Sequence, residues 1–95
     1  MSVRPSLPAI RAINRRLVDI DEELSQADAE LGMNRHIADD AERDFLVSGR
    51  YEDRADARMT ARDVKRVEKL IAGLQSERTR LVAKRDRMIR DLSEA

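Results

Sequence analysis

IRAINRRLVDIDEELSQADAELGMNRHIADDAERDF, residues 10–45, decides the fold. Ile10, Ile13, Leu17, Ile20, Leu24, Ala27, Leu31, Asn34, Ala38, Ala41 and Phe45 follow one another at alternating steps of three and four. That heptad spacing belongs to a helix that keeps one narrow stripe turned toward a partner helix. The stripe continues through Gly32-Met33-Asn34. A break there would make Gly32 a helix-ending residue and Asn34 a new N-cap, and would normally shift the phase. The unbroken phase favours one continuous helix, with Asn34 as a polar seam residue of the kind that specifies register.

Outward from this stretch, Ser6 is suited to cap the helix and Pro8 to sit in its first turn, so the helix should begin near Leu7. Met1–Pro5 carries no pattern and reads as a mobile tail. Ser48-Gly49 ends the helix, glycine supplying a left-handed conformation. A turn is expected over about 49–55, with Asp53 or the Thr60-x-x-Asp63 pattern as candidate caps for a second helix over about 56–93. Its seam residues are Ala57, Val64, Val67, Ile71, Leu74, Leu81, Met88 and Leu92. The preferred antiparallel register sets Phe45 opposite Thr60, Leu31 opposite Leu74 and Ala27 opposite Arg78. A register one heptad tighter is also periodic but needs a sharper turn at Gly49. Arms of this length make a rod on the order of 55–60 Å.

Composition agrees with long solvated helices. Forty per cent of the 95 residues are charged, 2% are aromatic, and Gly and Pro together number five. The hydrophobic share, 41%, is too high and too periodic for a disordered chain. Without Cys there is neither a disulfide framework nor a thiolate metal site. The longest apolar runs, Phe45-Leu46-Val47 and Leu70-Ile71-Ala72, are too short for a bilayer, and no signal-peptide pattern opens the chain, so a cytoplasmic location without membrane contact is expected.

Net charge is zero, but residues 1–48 hold six basic and ten acidic side chains and residues 49–95 hold thirteen and nine. Two arms of opposite sign attract each other, and the second could also face an acidic partner. Arg78 and Arg85 fall on the second helix's seam, where their stems can pack while the guanidinium groups reach water. In the preferred register Arg78 would have Asp28 as neighbour, and Arg85 would reach Asp21 or Glu23. Leu70, Val82, Ile89 and Ala61, with Ile37 on the first helix, widen the apolar stripe beyond a two-helix contact. The expectation is therefore an all-α chain of one domain: a long antiparallel helical hairpin, coiled-coil-like, assembling into a dimeric four-helix bundle.

Little in the residues suggests catalysis. His36 and Asp40, four apart, make at most a two-ligand metal site, and the acidic run Asp19, Asp21, Glu22, Glu23 is a solvated face. There is no phosphate-cradling loop and no nucleophile with a base, so no enzyme activity, metal or cofactor is expected. Two surfaces stand out. Phe45, Leu46, Val47, Tyr51 and Met59 cluster about the turn, as a hydrophobic cap or as a partner-binding tip. Arg58, Arg62, Lys65, Arg66 and Lys69 line the outer face of the second helix, for phosphate or for an acidic partner. In architecture alone the expectation resembles the small dimeric helical-hairpin regulators of plasmid copy number, which bind RNA, although no motif is shared. The leading expectation is a non-enzymatic protein–protein interaction module (adaptor, assembly factor or inhibitor, of a size and Arg content that suit a phage or plasmid accessory protein). The alternative is a small nucleic-acid-binding regulator.

Overall fold

The computed structural model describes residues 6–94, so the expected tail, Met1–Pro5, lies outside the described residues. Two helices account for almost all of them: α1, Leu7–Ser48, and α2, Tyr51–Glu94. No strand occurs among the described residues. Ser6 caps α1, its Oγ accepting the Ala9 amide at 3.2 Å while its carbonyl takes the Ile10 amide at 3.1 Å. These bonds satisfy amides that have no partner within a helix's first turn. α1 runs through Gly32-Met33-Asn34 without a break, and Asn34 is half-buried. Each of the eleven seam residues from Ile10 to Phe45 is buried or half-buried; elsewhere on α1 only Arg16 joins them.

The connection is Gly49-Arg50, not a turn over 49–55. The Gly49 amide closes the last turn of α1 on the Phe45 carbonyl at 2.8 Å, and Gly49 takes φ 64°, a backbone region that penalises any side chain. The Ser48 hydroxyl accepts the Arg50 amide at 3.1 Å and donates to the Asp53 carboxylate. This small network ties the first turn of α2 to the end of α1, which is why α2 starts at Tyr51. Glu52 and Asp53 lie in that first turn, where carboxylates complement the helix dipole. Thr60 caps nothing: its hydroxyl donates back to the Asp56 and Ala57 carbonyls inside α2.

The chain divides into two compact units. The first joins the start of α1, up to Leu24, with α2 from Gly73 onward. Large aliphatic side chains make its core: Ile10, Ile13, Leu17, Ile20 and Leu74 are buried, with Leu24, Leu81, Met88 and Leu92 half-buried around them. The second unit, Ser25–Ala72, is a helical hairpin about Gly49-Arg50. Its interior mixes Leu31, Val67 and Ile71 with the small residues Ala27 and Ala57, and half-buried Ala38, Ala41 and Thr60.

The contacts of the first unit follow the tighter register. Asp21 holds Arg78 and Asn14 faces Arg85, one heptad away from the expected partners Asp28 for Arg78 and Asp21 or Glu23 for Arg85.

Candidate interaction surface around the hairpin turn

Leu46 and Val47 occupy the last turn of α1, and Tyr51 opens α2 just beyond Gly49-Arg50. In the heptad frame Leu46 and Val47 sit at the two positions next to the seam residue Phe45 on its outward side. Their exposure follows: Leu46 is 72% exposed, Val47 90% and Tyr51 81%. Phe45 is half-buried and Met59 is exposed two helical turns into α2. Within this chain Leu46, Val47 and Tyr51 therefore do not close the end of the hairpin; only Phe45 packs inward.

Two shallow depressions adjoin this end of the second unit. One is lined by Glu42, Phe45, Arg54, Ala57, Arg58 and Ala61. The other is lined by Tyr51, Arg54, Ala55, Arg58 and Arg62. Arg54 and Arg58 are common to both, so Phe45 and Tyr51 each share a depression with the same two arginines. Leu46, Val47 and Met59 line neither depression.

The cations expected on the outer face of α2 divide. Arg66 turns toward α1 and reaches Glu30 at 3.3 Å. Arg58, Arg62, Lys65 and Lys69 take part in no ion pair among the described residues, and neither does Arg54. The other cross-helix pair of this unit, Arg35–Glu68, is long at 3.9 Å between exposed side chains.

A polar cluster lies in the first unit, and periodicity singled out its Arg78 and Arg85 but not its Arg16–Glu77 pair. Arg16 donates through Nε and Nη2 to both oxygens of Glu77, each at 2.8 Å, and through Nη1 to Glu23 at 3.3 Å. A planar guanidinium matched to a carboxylate in this two-bond manner is the strongest common ion-pair geometry. The bond from Arg16 holds the Glu77 carboxyl below the usual carboxylate range, against the opposing effect of desolvation. Glu77 in turn raises the Arg16 guanidinium above its ordinary value. The hydrogen bond to Asp21, at 2.8 Å, likewise raises Arg78. Arg85 contacts Asn14 and Asp86, each at 3.3 Å. All of these groups are locked in mutual contacts, so the cluster fastens α1 to α2 and offers no free reactive group.

His36 Nε2 lies 3.5 Å from Asp40, whose other oxygen binds Arg43 at 2.6 Å. Among the described residues no group of three or more His, Asp or Glu side chains is arranged to hold a metal ion. No helix among them is long and apolar enough to cross a membrane.

Neither a family model, nor a curated protein, nor a solved structure matches this chain.

Proposed function

We propose that this chain is a non-enzymatic protein–protein interaction module, an adaptor, assembly factor or inhibitor, that engages its partner through the turn of its helical hairpin. The exposure of Leu46, Val47 and Tyr51 carries the reading. Two aliphatic side chains and a tyrosine gathered about one tight turn have no packing role within the chain, and interface hot spots favour aromatic anchors such as tyrosine. Arg50 and Arg54 supply a polar rim. A cytoplasmic setting belongs to the same reading, as does the absence of any cofactor.

The module acts as a homodimer, two hairpins forming a four-helix bundle. Exposed Ile37 and Leu70 in the second unit, and exposed Ile89 with half-buried Val82 in the first, support this. Such side chains at and beside the seam edges are better covered by further helices than by water.

Light scattering over a concentration series, combined with the double variant Leu46→Asp with Tyr51→Ala, tests both statements. The wild type should show about twice the 10.9 kDa mass of one chain. The double variant should keep that mass and its helical circular dichroism. A cooperatively melting monomer at high concentration removes the dimer. Unfolding or dissociation of the double variant shows instead that the turn residues close the bundle.

A further inference from the structure

On α2, at 100° per residue, Tyr51, Arg54, Arg58, Arg62, Lys65 and Lys69 fall within an arc of about 80°. Between residues 51 and 69 the carboxylates of α2 are Glu52, Asp53, Asp56, Asp63 and Glu68, and all of them lie outside that arc. The strip therefore carries one sign of charge over roughly 22 Å from Arg54 to Lys69. None of its five cations forms an ion pair among the described residues. In this it differs from Arg66 and Arg35, which reach carboxylates across the hairpin. The strip begins at the turn, and Arg54 and Arg58 border both Phe45 and Tyr51. Phe45, Tyr51 and the cations thus form one continuous surface within the second unit, and exposed Leu46 and Val47 follow Phe45 in the last turn of α1.

We infer that this surface receives an acidic protein segment carrying apolar side chains. Its apolar groups seat against Leu46, Val47 and Tyr51, and its carboxylates run along Arg54, Arg58, Arg62, Lys65 and Lys69. The inference rests on the turn being the docking site and adds the partner's chemistry. Charge complementarity sets the sign of the partner. A phosphate backbone would match the cations, but it gives Leu46 and Val47 nothing to pack against. It would also meet the other helix of the hairpin: residues 25–48 carry six carboxylates against two guanidinium groups. Packed helices lie about 8–10 Å apart, within or close to the screening length at physiological salt. A long polyanion spread over both helices meets them directly, while a short peptide confined to the strip meets them only across the width of the hairpin, where salt weakens them.

The test is fluorescence polarisation on the full chain with four labelled probes. Three are peptides of about twenty residues: one with interleaved glutamate, leucine and phenylalanine, one with its glutamates changed to glutamine, and one with its apolar residues changed to serine. The fourth is an oligothymidylate of matching charge. The acidic apolar peptide should bind tightest. Arg54→Glu with Arg58→Glu and Arg62→Glu should weaken it at least about ten-fold, since each exposed pair contributes a fraction of that and the effects accumulate. Should the glutamate triple variant lose helicity, the glutamine triple variant gives the same readout with a smaller loss. If the glutamine peptide binds equally well, or the triple variants bind normally, the acidic partner is wrong while the turn remains the docking site. If Leu46→Asp with Tyr51→Ala leaves the acidic apolar peptide unaffected, the docking site itself is wrong. Tighter binding of the oligothymidylate overturns the inference in favour of a phosphate-binding strip, and failure of all four probes overturns it outright.

Discussion

Ile20 and Val67 are both completely buried, and what surrounds them differs. Around Ile20, in the first unit, the seam is built from isoleucine and leucine, and α1 and α2 are stitched by Arg16–Glu77 and Asp21–Arg78. Around Val67, in the second unit, alanines recur along the seam, and the cross-helix ion pairs are longer, 3.3 and 3.9 Å. Leu46, Val47, Tyr51 and Met59 are meanwhile left outside. One heptad pattern serves two purposes. The first unit buries isoleucine and leucine along its seam and fastens its two helices with short ion pairs, although Leu7, Val18 and Ile89 stay exposed. The second keeps a thinner interior and displays apolar groups and unpaired cations, which are the features the proposed docking surface uses.

The largest effect should come from the interiors. Ile20→Ala is expected to cost about 3 kcal/mol and Val67→Ala about 2 kcal/mol, in proportion to the methyl groups removed and the cavity left. Urea melts followed by circular dichroism measure both. Amide exchange should rise first in 6–24 and 73–94 for Ile20→Ala, and in 25–72 for Val67→Ala. A larger loss for Val67→Ala breaks the comparison, because the thinner interior would then be the more important one.

Next comes the turn that defines the hairpin of the second unit. Gly49→Ala places a side chain on a backbone with φ 64° and should cost about 1 kcal/mol. No atom crowds the added methyl group, so the loss reads backbone strain alone. An unchanged melting midpoint would mean that Ser48 and Asp53, not Gly49, enforce the two-residue turn.

The smallest and most selective effect concerns Glu77 in the first unit. Arg16 depresses its carboxyl pKa in the folded chain. The stabilisation this gives is complete above the unfolded value, about 4.3, and drains away as pH falls through the lower folded value. At neutral pH Glu77→Gln should therefore melt below the wild type, and the gap should close in acid. A gap that persists unchanged to low pH would show that Gln disturbs packing rather than removing a charge-assisted bond.

Much of this was legible along the chain. The seam from Ile10 to Phe45 and the N-cap at Ser6 are local properties. Burial follows from helical phase, and capping from one hydroxyl three residues ahead of an amide. The outward placement of Leu46 and Val47 follows from the same phase, as does the carboxylate-free arc from Arg54 to Lys69. The Arg16–Glu77 pair was not legible in the preferred register. In the tighter register of the first unit the edge residue Arg16 comes within 2.8 Å of Glu77.

The physical reason lies in the repeat itself. A heptad pattern slid by seven residues maps onto itself, so periodicity determined that two helices would pair and along which faces, yet it is blind to which turn of one meets which turn of the other. That choice belongs to the tertiary structure, and in the second unit a few atoms at the reversal make it: the Gly49 backbone, the Ser48 hydroxyl and the Asp53 carboxylate. In the second unit they close the hairpin in two residues, and in the first unit Arg78 holds Asp21, one heptad from its expected partner Asp28.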